Sequence, residues 1–237
     1  MLSVKYIGLR RSLFILSTAF GGSYVHSYLT EKNKYLLLPV RRSSCDRESN
    51  NDENSGRKRL LVANHCIDNF VKSNMNISVS TGSIGLFSIS RLSQKLKNKE
   101  LTDINVVPCS EDIKKKCISL GIPVCSLSDI PTLDLAITGA DEIDQSMTMI
   151  KGKTGSFVRE KMVEQAAKFV IVLIDDSKLT RGLGPGAPLP VEIVPFSHQH
   201  VRKKIESLSS LQGCRAVLRR GNINNNKSDG INISISI

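Results

Sequence analysis

The sequence predicts an α/β protein built on a doubly wound, mostly parallel sheet, followed by the start of a small α/β subdomain. Three observations predict it. Short apolar runs at residues 77–80, 105–108, 133–137 and 169–174 alternate with longer segments of helical spacing. The run at 169–174 is apolar at every position rather than at alternate ones, as expected of a parallel strand covered on both faces. Glycines, lysines and acids follow the strands at the ends where parallel sheets collect ligand groups. Together these features describe a Rossmann-like layout.

The elements follow in order. Leu60, Ala63, Ile67, Phe70 and Val71 recur at helical spacing, and the helix ends near Ser73 and Asn74. Residues 77–80 make a short strand that turns at Thr81, Gly82 and Ser83. Leu86, Ile89, Leu92 and Leu96 mark the next helix. Residues 105–108 are a strand closed by Pro108, and 112–120 a charged helix with Ile113 and Cys117 on one side. Residues 124–127 are a short extended piece, 133–137 a strand, 157–168 a helix and 169–174 a strand. Beyond Pro195, residues 201–211 form a basic amphipathic helix and 216–219 a strand. The alternation of Ile with polar residues over 231–237 is strand-like.

The chain has 237 residues, 40% of them hydrophobic, which is enough for one large core. No run approaches the roughly 20 apolar residues of a membrane-spanning helix, so no membrane partner is expected. The net charge of +11 raises nucleic acid as a partner, but Trp is absent and aromatics are only 5%. With no stacking platform, the basic balance points instead to a leader and to an anionic small molecule. Residues 1–30 hold no Asp or Glu, yet carry Lys5, Arg10, Arg11 and five serines, which is an organelle-transit composition. The apolar run 13–20 also suits a short secretory signal. Residues 41–58 are polar and read as a disordered linker. The expected organisation is a transit peptide and linker over 1–56, a Rossmann-like domain over 57–195 and part of a small subdomain over 196–237. None of the six cysteines forms a C-x-x-C pair, which suggests a reducing compartment and no zinc site. His198 and His200, two apart, suit opposite faces of a strand better than one metal site.

Chemistry concentrates between residues 137 and 161. Asp141, Glu142 and Asp144 fall where a strand ends. Lys151 and the small-residue loop Gly152, Lys153, Thr154 and Gly155 offer a cation and open backbone N–H groups, which hold phosphate or a developing oxyanion. Glu160 falls in the first turns of a helix that Ser156 can cap, near the helix end that favours a carboxylate. Taken alone, Glu160 is an ordinary helix glutamate between Arg159 and Lys161, Lys151 a turn lysine, Asp141 a helix cap and Lys178 a surface charge.

This segment resembles the ribose-5-phosphate isomerase A family, especially its plant members. The resemblance rests on several stretches in the same order: Ser80-Thr81-Gly82-Ser83, Ser119-Leu120-Gly121-Ile122-Pro123, Leu133-Asp134-Leu135-Ala136-Ile137, the acidic loop, the lysine-glycine loop, Arg159-Glu160-Lys161, Asp175-Asp176-Ser177-Lys178 and the run from Leu189 to Phe196. It covers roughly residues 57–220. It implies interconversion of D-ribose 5-phosphate and D-ribulose 5-phosphate by enediol proton transfer, with no cofactor and no metal. Glu160 matches the proton acceptor. Thr81, Gly82, Ser83 and Ile84 match the loop near the phosphate. Thr138, Gly139, Ala140 and Asp141, then Lys151, Gly152, Lys153 and Thr154, and finally Lys178, match the remaining substrate contacts. The resemblance further implies a homodimer or homotetramer and, with the leader, a chloroplast destination, with mitochondrion or cytoplasm as alternatives. The family continues well past this chain's last residue, so a shortened form or an early-ending gene model is expected.

Departures from the family pattern mark the site. Thr138 stands where the family has Asp, Ser80 where it has Gly, Ile84 where it has Thr, and Thr154 where it has Gly. The family's N-terminal lysine pair falls near Arg59 and Leu60. Backbone strain is expected at Ser80, a position that favours Gly. The alternative reading is a catalytically impaired phosphosugar-binding or regulatory homologue.

Overall fold

The computed structural model describes residues 14–20, 23–29, 35–41, 51–184, 186, 188–219 and 231–236, the three N-terminal segments and the last by their backbone. Strands β1 (Phe14–Phe20), β2 (Ser23–Leu29) and β3 (Tyr35–Arg41) precede α1 (Asn51–Phe70). Then come β4 (Asn76–Val79), α2 (Gly82–Lys97), β5 (Asn105–Pro108), α3 (Glu111–Ser119) and β6 (Leu133–Thr138). A short hairpin, β7 (Glu142–Ile143) and β8 (Met149–Ile150), leads to α4 (Phe157–Ala166) and β9 (Ala167–Asp175). The chain closes with β10 (Leu189–Ile193), α5 (His198–Glu206), β11 (Arg215–Leu218) and β12 (Ile231–Ser236).

The main sheet runs β1-β2-β3-β9-β6-β4-β5. Its five strands from β3 to β5 are parallel, while β1 and β2 add antiparallel at the edge. The chain leaves β4 through α2 to reach β5 on one side. It then returns through α3 to β6 on the other side. The winding therefore reverses between β4 and β6, and doubly wound sheets open a crevice at the carboxyl ends of such a pair.

Both faces of the sheet are covered, as the continuous apolar run of β9 requires. Ile171 and Leu173 face one core with Ile77, Val79, Leu135 and Ile137, against Ile67 of α1, Ile89 and Leu92 of α2, and Ile113 of α3. Val170, Val172 and Ile174 face the other core with Ala136, Ile143 of the hairpin and Val163 of α4. Full burial of a side chain such as Ile67 or Leu92 contributes roughly 1.5–3 kcal/mol. A second sheet, β10-β12-β11, is antiparallel and packs with Val201 and Ile205 of α5. Its first strand, β10, lies before residue 195 and pairs with β12 across Val191 and Ile233.

Several local expectations change. The stretch 1–56, read as leader and linker, contains β1 to β3, and β3 pairs with β9 from Tyr35 opposite Val170 onward. The first helix starts at Asn51 rather than near Leu60. His198 and His200 lie in the first turn of α5, not on a strand, because Val201 and Ile205 at four-residue spacing outweigh the two-residue spacing of the histidines. No described helix is long and apolar enough to cross a membrane.

Candidate active site

A cavity of about 300 Å³ opens at the β4–β6 reversal. Its rim collects Ser80 to Ile84 after β4, Gly139 to Asp141 after β6, Lys151 to Thr154 after β8, Glu160 of α4, and Asp175 and Lys178 at the end of β9. The structure thus brings to one cavity every substrate residue the sequence suggests except Thr138. That residue lies behind the rim, 3% exposed, and touches the cavity through Lys151.

Each loop has a local cause. Ser80 N–H donates to Ile137 O at 2.8 Å, which ties the loop after β4 to the neighbouring strand. The helix that follows can start so close because Gly85 has no side chain: a β carbon there would lie 1.8 Å from Ser80 O. The left-handed backbone falls on Gly82, at φ +85°, and not on Ser80, so the strain expected at Ser80 does not arise. Thr154 is likewise free of it, because the left-handed positions of its loop are Gly152 and Gly155. Ile84 lines the cavity and packs on the core beneath it.

Glu160 lies in the first turn of α4, only 5% exposed, and its carboxylate reaches the cavity. Thr81 Oγ1 donates to Glu160 Oε1 at 2.8 Å and lies 2.6 Å from Thr154 Oγ1. Because a hydroxyl has one proton and a carboxylate only accepts, Thr154 is the donor of that second bond. Lys151 Nζ stands 3.5 Å from Glu160 Oε2. It also donates to Glu164 Oε1 and to Thr138 Oγ1, and Thr138 Oγ1 donates to Glu164 Oε1 at 2.9 Å. Burial favours the neutral amine of Lys151, but the Glu164 and Glu160 carboxylates outweigh it, so its pKa lies above the ordinary lysine value.

The other acids separate by role. Asp141 lines the cavity, and its Oδ2 accepts the Lys153 N–H at 2.9 Å, which joins the acidic loop to the lysine-glycine loop; it caps no helix. Glu142 is buried and accepts the N–H groups of Gly184 and Gly186 at 2.8 and 3.1 Å, so it anchors the loop before β10. Asp144 closes the hairpin turn by accepting from Ser146 and Thr148. Ser156 occupies the N-cap of α4 but its side chain makes no cap bond; Glu192 Oε2 takes the Val158 N–H at 2.7 Å instead. Arg159 turns away and pairs with Glu111 at 3.2 Å.

Two further residues join the site, Arg59, where the sequence placed the family's N-terminal lysine pair, and Glu164, which it did not suggest. Arg59 lines the cavity, its Nη1 3.3 Å from Ser83 Oγ and its Nε 3.4 Å from Asp175 Oδ2. Glu164, 3% exposed, was legible only as the residue four positions after Glu160, hence on the same helix face.

An open parallel sheet with an anion-ready loop, a buried ammonium and a buried carboxylate at its winding reversal is the frame of a small-molecule site in an α/β protein. The chain belongs to the family of ribose 5-phosphate isomerase A (phosphoriboisomerase A), whose profile matches residues 105–234. It is 42% identical over 151 residues to "Probable ribose-5-phosphate isomerase 1" of Arabidopsis thaliana, covering 63% of this chain and 57% of that protein. The chain therefore spans less than two thirds of the length of that curated relative. Its fold matches the solved ribose 5-phosphate isomerase from Plasmodium falciparum with a TM-score of 0.71 at 31% identity, over 77% of this chain and 79% of that one. A D-ribose-5-phosphate isomerase solved in complex with phospho-erythronic acid matches with a TM-score of 0.67 at 31% identity, over 75% and 77% of the two chains.

Proposed function

We propose that this chain interconverts D-ribose 5-phosphate and D-ribulose 5-phosphate through an enediol, with Glu160 as the base. The observation that carries the reading is a carboxylate 5% exposed, facing a cavity, with a buried ammonium 3.5 Å away. Glu160 takes the proton from C2 of the open-chain aldose. The C2–H electrons form the C1–C2 double bond, and the C1 oxygen takes up negative charge beside Lys151. A proton passes from the C2 hydroxyl to the C1 oxygen, Glu160 returns its proton to C1, and the carbonyl re-forms at C2. General base catalysis of this kind contributes roughly 100- to 10,000-fold. The phosphate lies against the N–H groups of Thr81 to Ile84 with Arg59 and Lys178 as cations, far enough from the reacting carbons for its binding to orient them. Asp141 and the Gly139–Ala140 backbone hold the hydroxyls. The relative bound to phospho-erythronic acid supports a sugar phosphate as substrate, since that ligand joins a phosphate to a planar carboxylate resembling an enediolate.

Oligomeric assembly as a homodimer or homotetramer, and delivery of the leader to the chloroplast for pentose phosphate and Calvin-cycle metabolism, belong to the same proposal. The acid-free basic stretch 1–30 supports the address. The test is solvent exchange at C2 together with aldose–ketose turnover. Wild type exchanges and turns over, and Glu160→Gln loses at least about 100-fold in kcat while still binding the sugar phosphate. A folded wild type that binds without exchange overturns the reading.

A further inference from the structure

Lys151 is shared unequally between two carboxylates of one helix. Glu164 Oε1 is in direct hydrogen-bond contact with the ammonium, whereas Glu160 Oε2 stands off at 3.5 Å, beyond a strong charge-assisted bond. Glu160 lines the cavity; Glu164 is absent from its lining, 3% exposed, and its Oε1, the oxygen that meets Lys151, also accepts the Thr138 hydroxyl at 2.9 Å. We infer that Glu164 is a positioning residue: it draws the Lys151 ammonium back from Glu160 and so leaves that carboxylate open to a carbon-bound proton. The inference rests on the isomerase reading given above.

The physical reasoning concerns where one positive charge sits among two negative ones. An ammonium buried with two carboxylates moves onto whichever is nearest and best aligned. With Glu164 in place, that is Glu164. Without it, Lys151 has Glu160 as its remaining carboxylate and closes the 3.5 Å gap. A base locked in a direct ion pair accepts a proton poorly, while the phosphate end of the cavity, at Arg59 and Ser83, is untouched. Turnover then falls and affinity does not. Position 138 is the natural place to return the charge, because the Thr138 hydroxyl already touches both Lys151 and Glu164. Cys109 and Lys161 are the other titratable groups coupled to Lys151.

The experiment compares wild type, Glu164→Gln and the double variant Thr138→Asp with Glu164→Gln. Two readouts are used: steady-state kinetics and NMR titration of the Lys151 ammonium in 15N-lysine-labelled protein. Glu164→Gln is expected to lose about 100-fold in kcat with KM within about threefold. The double variant is expected to recover most of that loss, because a carboxylate again holds the ammonium back. The Lys151 pKa falls in Glu164→Gln and rises again in the double variant. Wild-type kcat in Glu164→Gln, or a double variant no better than the single one, overturns the inference. Should Glu164→Gln fail to fold, the double variant decides alone: folded and active supports the role, unfolded or inactive refutes it. A wild type without turnover refutes the isomerase reading instead. The lysine titration then still decides the inference, since an unchanged Lys151 pKa in Glu164→Gln removes the unequal sharing on which it stands.

Discussion

Replacing Gly85 by Ala sets two effects of opposite sign against each other. Gly85 lies inside α2, and Ala in a helix interior is favoured over Gly by up to about 1 kcal/mol. Propensity alone therefore predicts a more stable protein. The geometry predicts the reverse. A β carbon at Gly85 falls 1.8 Å from Ser80 O and 3.0 Å from its carbonyl carbon, distances that backbone and side-chain atoms do not share. Ser80 cannot retreat freely, because its N–H is bonded to Ile137 O of the adjacent strand at 2.8 Å. The helix and the loop must separate by more than 1 Å, and overpacking of this kind costs about 1–3 kcal/mol. Repulsion against backbone lies at the upper end of that range, which leaves a net loss of about 2 kcal/mol after the propensity gain. For a chain of this size that corresponds to a fall in Tm of about 4–8 °C. The loop that moves is the one proposed to receive the phosphate, and a 1 Å misplacement there costs about 100-fold in kcat/KM. Thermal and urea unfolding of wild type and Gly85→Ala, followed by kinetics on the folded variant, measure both. A Tm equal to or above wild type would refute the reasoning, because it would mean that Ser80 is not held where the close approach requires.

Lys151→Met removes from the buried Glu160 and Glu164 the ammonium between them and is expected to cost about 3–5 kcal/mol in urea unfolding at neutral pH. Burial lowers the Lys151 pKa, but Glu164 and Glu160 together raise it above 10.5, so the lysine's contribution is complete below pH 10.5 and disappears as pH rises through the folded value. The stability gap to Lys151→Met should narrow above that pH, and a constant gap would contradict the charge assignment. Thr81→Val removes the hydroxyl that donates to Glu160 at 2.8 Å and is expected to lower kcat about 10- to 100-fold; unaltered turnover would show that the bond does not orient the base. Burial pushes the thiols of Cys66 and Cys109 far up and that of Cys117 to about 11. Among the described cysteines, maleimide labelling of the native protein should therefore reach the half-buried Cys125 and Cys214 first, and early labelling of Cys66 would argue against the packing of α1 on the sheet.

The parallel strands were legible because burial on two faces leaves a mark in the sequence: residues 170–174 of β9 read Val-Ile-Val-Leu-Ile with no polar break, and all five are buried. The N-terminal strands were not, because a short apolar run such as Phe14–Phe20 satisfies both an edge strand and the core of a targeting segment. Residues Gly139 to Asp141, Lys151 and Glu160 could be placed because the loops after β6 and β8 and the first turn of α4 are close in sequence. Glu164 was harder to see. A charged residue on a helix is usually solvated, and only the burial of a partner, here Lys151, reveals otherwise. Asp144 shows the opposite error of type: an acid at a strand end suggested ligand chemistry, whereas its three-residue neighbourhood with Ser146 makes it a turn former.

The small C-terminal sheet bears on the chemistry through the elements it holds. Glu192 of β10 accepts the Val158 N–H at 2.7 Å, so the first turn of α4, which carries Glu160, is capped from another layer of the fold rather than by its own Ser156. An N-terminal cap contributes about 1 kcal/mol, and a carboxylate there also meets the helix dipole. Pro190 of the same strand packs against Gly152, where a β carbon would come within 3.2 Å of its ring and where φ is +110°. Arg219, just past β11, donates to Lys153 O at 2.8 Å. The sheet therefore holds both the helix that carries Glu160 and the loop that carries Lys151, the two groups proposed to act in the proton transfer. Loosening that grip would not remove any group from the cavity. It would change the 3.5 Å between Lys151 and Glu160, and in a buried ion cluster that distance decides whether the carboxylate is a base or half of a salt bridge.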